Sequence, residues 1–526
     1  MMILLLHPQA SGLITVRMFF NMFYKFLSLF LILIILNGCG GGGKGIPDQL
    51  SALPKEEDNS SEILNPNTEI FIPKESFETP EYKNQWGLDF INASDAYSYG
   101  ASGKGVVVAV VDEAIDWGHH EFLKANILHP ESVLTYSGNR EPTPLEKFHG
   151  TATSSIIAGR KDDELVDKNM HGVAFDAQIL FVAVELGSPP SDGEYEPVDL
   201  PAFSWELFDE QESEFYKALS FESDVVNNSF GFTGQITDYS RETLENTFPK
   251  LINTFANEQE TIFVWSAGNY NGIIDTDGET VSASNPGILA GLGYYFPELA
   301  KNNVAVVAVD QNGDIAEFSN RCGVAKEFCI AAPGVKVPLA IPNNLFNSLT
   351  EREKEGFNKD VLDYLEDHPT KAYLLGSGTS FSAPHVTGAI AVLKELFNNN
   401  LSSVQILERL FNTANKEGKY SNREIYGQGL LDLKTASSPV GSTLFYSGSS
   451  IYSDIIPTVN SYVTTSKSFG DALKNSLGNT KLSVFDALGA PFSIPASSFV
   501  KNIIPSSNAM ERLFNFKEKK YGYISS

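Results

Sequence analysis

Apolar runs separated by stretches with helical spacing fill the middle of this chain. Gly105 to Asp112 has the sequence GVVVAVVD, a nearly continuous β-branched run that predicts a strand buried on both faces. Stretches at 241–260 and 401–414 have helical spacing. Strands that alternate with helices predict an α/β fold with a mainly parallel central sheet and helices on both faces. Further strands are predicted at 178–184, 224–231 (ending in a polar turn), 261–266, 304–309 and 330–332.

A run of small residues leads into an apolar run around Ser380. Residues 376–389, GSGTSFSAPHVTGA, predict a tight turn that opens a buried helix. Ser380 would lie at the helix N-terminus, where free backbone N–H groups and the helix dipole favour a developing negative charge. Pro384 would fall within about the first turn, where a missing N–H does least harm. Such a serine is either an N-cap or a nucleophile, and a nucleophile needs a base and an oxyanion site.

Two other polar residues lie at the ends of predicted elements. Asp112 ends the first buried strand, and α/β sheets bind ligands at the carboxyl ends of their strands. His149 heads residues 149–159, whose small side chains predict a closely packed helix. Taken singly, Asp112 could be a cap and His149 a surface or structural histidine. No pattern of histidines and cysteines indicates a zinc site.

The order of these residues along the chain is Asp112, His149, Ser380, which is the order in subtilisin and not in chymotrypsin or the α/β-hydrolases. Together, VVD at 110–112, HGT at 149–151 and GTSFSAP at 378–384 resemble the subtilisin-like serine proteases, or subtilases. The resemblance covers residues 83–437 and implies a subtilisin-like peptidase domain there. It implies that Ser380 is the nucleophile, His149 the general base and Asp112 the residue that orients His149.

Three more stretches resemble functional segments of subtilases. SAGN at 266–269 resembles the oxyanion segment and implies that Asn269 stabilises the oxyanion. NSFG at 228–231 resembles the substrate-binding strand, and residues 426–433, predicted as a turn and short strand, resemble the end of the catalytic domain. The implied substrate-binding residues are Asn228, Ser229, Phe230, Gly231, Ser266, Ala267 and Gly268.

The residues after Asp112 depart from the family pattern, which has a small polar residue and a glycine there. Glu113 is expected to add negative charge beside the triad and so to favour protonated His149. Ala114 disfavours positive φ, so a different turn is expected. Neither residue removes a chemical group, and activity is still expected.

Targeting features occupy the start of the chain. Lys25 precedes the apolar run 26–36, which is too short to span a bilayer comfortably and is typical of a signal peptide. The run ends in LNGC at 36–39, followed by four glycines, and this resembles the lipobox of bacterial lipoproteins, in which Cys39 is acylated. Signal cleavage beside an incidental cysteine is the alternative. Residues 1–39 are therefore predicted as a signal and lipobox segment, and 40–82 as a flexible linker.

Composition changes again near residue 437, where Ser, Thr, Asn and Gly become frequent. With the lipobox and SNRCGVA at 319–325, the stretches 469–473 and 485–488 resemble the lipoprotein-type autotransporter subtilases of Gram-negative bacteria. Residues 438–526 then form a C-terminal tail that resembles a passenger-to-barrel linker. In an exported protein Cys322 and Cys329 are predicted to form a disulfide, with two buried free thiols as the alternative.

Charge narrows the classes of partner. The chain has 38 Lys and Arg against 65 Asp and Glu, a formal net charge of −27, which repels nucleic acid and anionic lipid headgroups. The predicted partners are protein or peptide substrates, with no nucleic acid, membrane contact through the N-terminal lipid only, and a monomeric state. Residues 185–215 hold ten acidic and no basic residues, interpreted either as a solvated loop or as a preference for basic peptides.

Together these features predict a serine endopeptidase that is exported, as an outer-membrane lipoprotein, a cell-surface protein or a secreted one. No cofactor is expected to be required; subtilases often bind calcium, but no ligand spacing assigns a site. The alternative is a non-catalytic surface lipoprotein that uses the fold as a binding module. Retention of all three triad residues and of Asn269 favours the enzyme.

Overall fold

A computed structural model describes residues 72–503 except 123–126, 129–140, 163–168, 185–208, 210–212, 214, 218, 221, 276–277, 371, 398–399, 447–454, 459–462 and 467–471. Its centre is a parallel sheet of seven strands in the order β2-β3-β1-β4-β5-β6-β7. The strands are β1 (Val107–Asp112), β2 (Ile127–Leu128), β3 (Gln178–Ala183), β4 (Val225–Asn228), β5 (Ile262–Ser266), β6 (Asn303–Val309) and β7 (Cys329–Pro333). The predicted α/β class with a parallel sheet is confirmed.

The strand register brings polar residues to one edge of the sheet. In β1, Asp112 pairs with Ala183 of β3, and Val111 pairs with Asn228 of β4. Ser266 ends the next strand, β5, beside Val306 of β6. Because neighbouring strands are parallel, their carboxyl ends lie at the same edge, where α/β proteins build their sites.

Helices cover both faces of this sheet. The helices are α1 (Pro80–Asn84), α2 (Trp86–Phe90), α3 (Ala93–Ser98), α4 (Lys147–Ala158), α5 (Arg241–Thr247), α6 (Pro249–Asn257), α7 (Ile288–Gly291), α8 (Leu345–Ser348), α9 (Glu351–Lys354), α10 (Lys359–Asp367), α11 (Thr379–Phe397), α12 (Ser403–Thr413), α13 (Arg423–Tyr426), α14 (Leu433–Ser437) and α15 (Ala472–Ser476). The stretch 241–260 forms two helices, because Pro249 is disfavoured inside a helix and instead begins the second one.

The core has two parts, one on each face of the sheet. Val108 and Val110 point into the part that contains α11, whereas Ala109 and Val111 point into the part that contains Trp265. All four side chains are 0% exposed. Burial on both faces explains why β1 is an unbroken apolar run instead of an alternating one.

Three smaller sheets complete the described structure, one of four strands and two of two strands. Strands β8 (Val337–Ala340) and β9 (Tyr373–Gly376) are antiparallel, and α8 to α10 lie between them in the chain. Farther on, β10 (Leu444–Tyr446), β11 (Ile455–Pro457), β13 (Lys481–Phe485) and β14 (Pro491–Pro495) form an antiparallel sheet, and β12 (Val463–Ser466) pairs with β15 (Val500–Ile503).

The C-terminal sheet packs into the peptidase core. Val484 and Phe492 are at most 1% exposed and belong to the same apolar cluster as helix α11. Arg409 of α12 is fully buried and pairs with Asp486 at 2.7 Å. Its guanidinium lies over the rings of Phe397 and Phe492, at 4.6 and 5.5 Å from their centroids. A Ser- and Thr-rich composition did not predict this packing.

Residues 426–433 form a turn, as predicted, but not a strand. Two isolated bridges, Ile330 with Gly427 and Ala331 with Leu430, attach this turn to β7. Gly427 has φ +60°, and a Cβ there would lie 2.1 Å from the Cys329 carbonyl oxygen. The first bridge is antiparallel and the second is parallel, so the backbone changes direction between them and no continuous strand forms.

Several predictions concern residues outside the described ones. They are the signal and lipobox segment with Cys39, the linker up to residue 71, most of the acidic stretch 185–215, and, within the predicted C-terminal tail, residues 447–454, 459–462, 467–471 and 504–526. Within the part of the chain that the structure describes, no helix combines the length and apolarity needed to cross a bilayer.

Candidate active site

Asp112 and His149 form the base of the site. Asp112 ends β1 and is 1% exposed, and its Oδ1 lies 2.7 Å from Nδ1 of His149. A carboxylate only accepts hydrogen bonds, so His149 carries its hydrogen on Nδ1 and leaves Nε2 available as a base. The other carboxylate oxygen, Oδ2, accepts the hydroxyl of Thr153 at 2.9 Å. Asp112 is thus held through both oxygens.

Helix α4 can bring His149 this close because the next residue, Gly150, has no side chain to keep the helix away from the loop after β1. A Cβ on Gly150 would lie 2.2 Å from the carbonyl oxygen of Ala114, in the loop that follows β1. Only a residue without a side chain allows this approach of helix and loop. The ring centroids of His149 and Phe381 are 5.8 Å apart, so the residue after Ser380 lies beside the histidine.

Ser380 is the second residue of α11. Gly378 N–H donates to the Gly334 carbonyl at 2.8 Å, and this bond fixes the turn before the helix. The predicted turn and helix are present, but α11 begins at Thr379, so Pro384 is its sixth residue and lies beyond the first turn. Its missing N–H therefore affects a hydrogen bond inside the helix.

The Ser380 hydroxyl donates to the backbone carbonyl of Ser229 at 3.0 Å. In the described structure the Ser380 hydroxyl therefore donates to Ser229 and not to Nε2 of His149. A hydroxyl with a single hydrogen must turn from Ser229 toward Nε2 of His149 before the proton can be transferred. Catalytic hydrogen bonds are often formed only when substrate is bound.

Asn269 lies beside the nucleophile with a fixed amide orientation. Its Oδ1 accepts the N–H of Thr379 at 2.8 Å and the Thr379 hydroxyl at 2.9 Å. An N–H can only donate, so the oxygen must face Thr379 and Nδ2 must face away from it. No described residue accepts a hydrogen bond from Nδ2. This donor is available for a negatively charged oxygen near Ser380.

The loop that carries Asn269 has its own support. Gly268 has φ +110°, a conformation that glycine adopts readily. Asn320 holds both sides of this loop, because its N–H donates to the Gly268 carbonyl and its Oδ1 accepts the N–H of Tyr270, each at 2.9 Å. Asn320 lies in the predicted stretch 319–325 and was not identified as a site residue.

One pocket opens beside Ser380 and Asn269. Six of the seven predicted substrate-binding residues line it, and its far wall is a segment that the sequence did not indicate, Gly287 to Ala290. Burial raises the pKa of Tyr270 to about 12, so this phenol is neutral at physiological pH. None of the described residues that line the pocket carries a charge. The complete lining is Ser229, Phe230, Gly231, Phe232, Ser266, Ala267, Gly268, Asn269, Tyr270, Gly287, Ile288, Leu289, Ala290 and Ser380.

Asn228 is the predicted substrate-binding residue that does not line this pocket. Its side chain is 0% exposed, accepts the hydroxyl of Tyr216 at 2.7 Å and donates to the Val264 carbonyl at 3.3 Å. Asn228 is the last residue of β4 and its side chain lies in the core, so the lining of the pocket begins at the next residue, Ser229.

Glu113 behaves differently from the expectation. It is 8% exposed, and burial, followed by the charges of Asp112 and Glu146, raises its pKa to about 9. It is therefore neutral near pH 7 and adds no negative charge beside His149, because the desolvation cost exceeds any benefit of ionisation. Ala114 is 2% exposed and has no positive φ, so the turn forms without the glycine.

Two further features bear on the sequence predictions: the cysteine pair and the absence of a metal cluster among the described residues. The structure joins Cys322 and Cys329 by a disulfide with Cα atoms 5.7 Å apart; both are fully buried, and Cys329 is the first residue of β7. Within the described residues, no three histidine, cysteine, aspartate or glutamate side chains are arranged to hold a metal ion.

Family comparison agrees with this geometry. A sequence model described as the subtilase family matches residues 103–429, more than half of the 526-residue chain. The chain belongs to the subtilase family. The match includes Asp112, His149, Asn269 and Ser380, and the predicted resemblance is confirmed.

Individual subtilase relatives are more distant. The chain is 26% identical over 381 residues to an extracellular serine protease of Serratia marcescens. The alignment covers 69% of the chain and 34% of that protein. It is 29% identical over 440 residues to serotype-specific antigen 1 of Mannheimia haemolytica. This alignment covers 73% of the chain and 43% of that protein. This subtilase therefore spans less than half the length of these two relatives. Their similarity supports in part the closer resemblance to the autotransporter group.

Shorter proteases also match. The major intracellular serine protease of Bacillus subtilis is 25% identical over 329 residues, which covers 62% of this chain and 80% of that protein. Among solved structures, MycP1 from Mycobacterium smegmatis aligns with a TM-score of 0.46 at 20% identity, which covers 73% of this chain and 89% of that chain.

Proposed function

We propose that this subtilase is a serine endopeptidase. The observation that carries the proposal is the arrangement at one sheet edge of Asp112 bonded to His149, with Ser380 at the start of α11 and the available Nδ2 donor of Asn269 beside it. Similarity to serine proteases over the same residues supports it. The substrates are proteins or peptides.

Proton transfer follows from these contacts. Nε2 of His149 takes the hydroxyl hydrogen of Ser380 as the oxygen attacks the peptide carbonyl, and later gives it to the leaving amine. Asp112 keeps Nδ1 protonated and stabilises the imidazolium that forms. The products of the first half are an acyl-enzyme on Ser380 and a free amine, and water then hydrolyses the acyl-enzyme by the same proton transfers.

Negative charge that develops on the carbonyl oxygen needs donors fixed in advance. Asn269 Nδ2 and the backbone N–H of Ser380 are the proposed donors. The Asn269 amide cannot rotate without losing two hydrogen bonds to Thr379. In subtilisin, the loss of the asparagine that serves as this donor lowers kcat by about 10²–10³.

The pocket supports a preference for apolar side chains at the residue whose carbonyl is attacked. Phe230, Ile288 and Leu289 form its walls and are at most 7% exposed. A Lys, Arg, Asp or Glu side chain would lose its hydration there without gaining a charged partner from the described lining. Any preference for basic peptides would therefore have to arise away from this pocket.

Export and lipid anchoring are proposed from the N-terminal sequence. The apolar run 26–36 and the lipobox-like LNGC at 36–39 support a signal peptide with Cys39 as the acylated residue. A surface location follows if Cys39 is processed in this way. Metabolic labelling with a fatty-acid probe, with Cys39→Ala as control, tests the anchor. No label on the wild-type protein would contradict it.

The peptidase proposal is tested by labelling the purified protein with a fluorophosphonate probe and by hydrolysis of a casein substrate. Wild type should be labelled and should cleave casein, and Ser380→Ala should do neither while unfolding at a similar temperature. An unlabelled wild type, or casein cleavage by Ser380→Ala at the wild-type rate, would reject the proposal. In that case the binding-module alternative would be favoured.

A further inference from the structure

The backbone carbonyl of Ser380 has an exceptional position in helix α11. In an α-helix the carbonyl of residue i accepts the N–H of residue i+4. For Ser380 that residue is Pro384, which has no N–H. The carbonyl of the nucleophile therefore lacks the donor that helix geometry would supply, and a carbonyl inside a protein needs a donor from elsewhere.

Ser229 supplies this donor. Its hydroxyl donates to the Ser380 carbonyl at 2.8 Å. Ser229 directly follows β4 and is 3% exposed, so water competes little for this bond. The first turn of the helix is thereby attached to the end of a central strand, at the position where the proline breaks the regular bonding of the helix.

Two buried residues orient the Ser229 hydroxyl. Asn227 Nδ2 donates to Ser229 Oγ at 2.9 Å, which leaves the hydroxyl hydrogen for Ser380. Asn227 Oδ1 lies 3.0 Å from the hydroxyl of Thr387, which is also 3.0 Å from the Ala383 carbonyl. Asn227 and Thr387 are both 0% exposed. The chain of hydrogen bonds begins at Thr387 and ends at Ser380, both on the same helix.

We propose that Asn227, Ser229 and Thr387 are positioning residues for the nucleophile. They fix the main chain of Ser380, and with it the hydroxyl and the N–H that the reaction uses. Groups that attack a carbonyl and stabilise an oxyanion must be held within about half an ångström of the productive geometry. This inference rests on the proposed peptidase function of the same site.

The central experiment removes the Ser229 hydroxyl and keeps the Ser229 carbonyl. In the full chain, Ser229→Ala should lower kcat on a peptide amide substrate about tenfold or more and leave KM within about twofold, because a small displacement of the nucleophile affects the chemical step. Thr413→Val is the matched control, since it removes a buried hydroxyl that donates to the Arg409 carbonyl at 2.7 Å in α12. Its kcat should equal that of wild type.

Pro384→Ala provides the decisive rescue. It restores an N–H at the position that a helix uses to bond the Ser380 carbonyl, so the Ser229 hydroxyl is no longer required. The double variant should recover kcat to within about threefold of Pro384→Ala alone, as expected for two groups that serve one acceptor. A loss from Ser229→Ala that is equally large in both backgrounds, or that appears in KM instead of kcat, would overturn the inference.

Thermal unfolding of wild type, Ser229→Ala, Pro384→Ala and the double variant separates this inference from the proposed function. A wild type that the fluorophosphonate probe does not label contradicts the peptidase proposal, but the melting temperatures still test the hydrogen-bond network. Ser229→Ala should lower Tm, and should lower it less when Pro384 is replaced by alanine. Equal decreases in the two backgrounds would show that Ser229 does not replace the missing N–H.

Discussion

Thr153 donates its hydroxyl to Oδ2 of Asp112 at 2.9 Å, one helical turn after His149, whose Nδ1 lies 2.7 Å from Oδ1. A single helix, α4, therefore supplies both side-chain contacts to this carboxylate. The N–H of Glu113 adds a third contact, at 2.8 Å from Oδ1. Because Asp112 is 1% exposed, these donors, and not water, determine how the carboxylate is oriented.

Removal of the Thr153 hydroxyl should impair catalysis without removing a group that reacts. In Thr153→Val, Oδ2 of Asp112 loses its hydroxyl donor and the carboxylate can rotate away from His149. A hydrogen bond to a charged group contributes about 1.5–3 kcal/mol, so we expect kcat to fall about tenfold or more. Steady-state kinetics on a peptide substrate measure this. Thr247→Val, which removes a helical hydroxyl that donates to the Thr243 carbonyl on α5 at 2.7 Å, is the control. Equal kcat values for the two variants would contradict the role of Thr153.

The motifs predicted residues that react, but not the residues that hold them. Asp112, His149, Asn269 and Ser380 occur in short stretches with family spacing. Thr153 and Thr379 lie within the same stretches, yet their roles depend on which atoms meet in three dimensions. The error in placing Pro384 is similar: the helix starts at Thr379, and a small shift of a helix boundary decides whether a proline lies in the first turn or interrupts a hydrogen bond deeper in the helix.

Long-range packing was harder still to predict. The strands of the central sheet were predictable because residues buried on both faces must be apolar, as in β1. The packing of β13 and β14 depends on a few residues, such as Val484 and Phe492, in a polar segment. Nothing in the sequence around Asp486 distinguishes it from an aspartate on the surface. Only the fold brings it to Arg409, 77 positions away in the sequence.

The buried pair Arg409 and Asp486 should stabilise the whole domain. Asp486 also accepts the N–H groups of Val440, Leu488 and Ala490, at 2.9 to 3.0 Å. Asp486→Ala would leave a buried guanidinium without its counter-charge, which typically costs about 3–5 kcal/mol. Denaturant unfolding should therefore show a large loss of stability.

The matched control for this prediction is Asp363→Ala, which breaks the exposed pair with Lys359 on α10. Exposed pairs contribute at most about 1 kcal/mol, so little change is expected. Similar unfolding midpoints for Asp486→Ala and Asp363→Ala would mean that the C-terminal sheet does not stabilise the peptidase domain.

Glu113 should make the protein less stable as pH rises. Its pKa is about 9 in the folded state, raised first by burial, against an ordinary value of 4.5. Between these values the folded state binds the extra proton, so stability decreases as pH increases through this window. Glu113→Gln stays neutral throughout, so its Tm relative to wild type should increase from pH 5 to pH 9. The exposed Glu298→Gln variant should show no such trend, and a flat difference for Glu113→Gln would contradict the raised pKa.

His385 should have the opposite effect on the acidic side. Burial lowers its pKa from 6.5 to about 4, although its bond to the Phe381 carbonyl, at 2.8 Å from Nδ1, acts in the other direction. Between pH 6.5 and 4 the unfolded chain binds the extra proton, so stability is lost as pH falls through this window. The predicted loss is on the order of 2–3 kcal/mol.

His385→Asn keeps a donor near the Phe381 carbonyl and removes the titration, so its Tm should depend less on pH between 6.5 and 4 than that of wild type. His368 offers a close match, because its Nδ1 lies 2.9 Å from the Tyr364 carbonyl in the same i to i−4 relation, but on an exposed helix end. His368→Asn should follow the wild-type pH dependence, since it leaves the buried His385 in place. If the Tm of both variants depends on pH as that of the wild type does, the loss of stability below pH 6.5 does not come from His385.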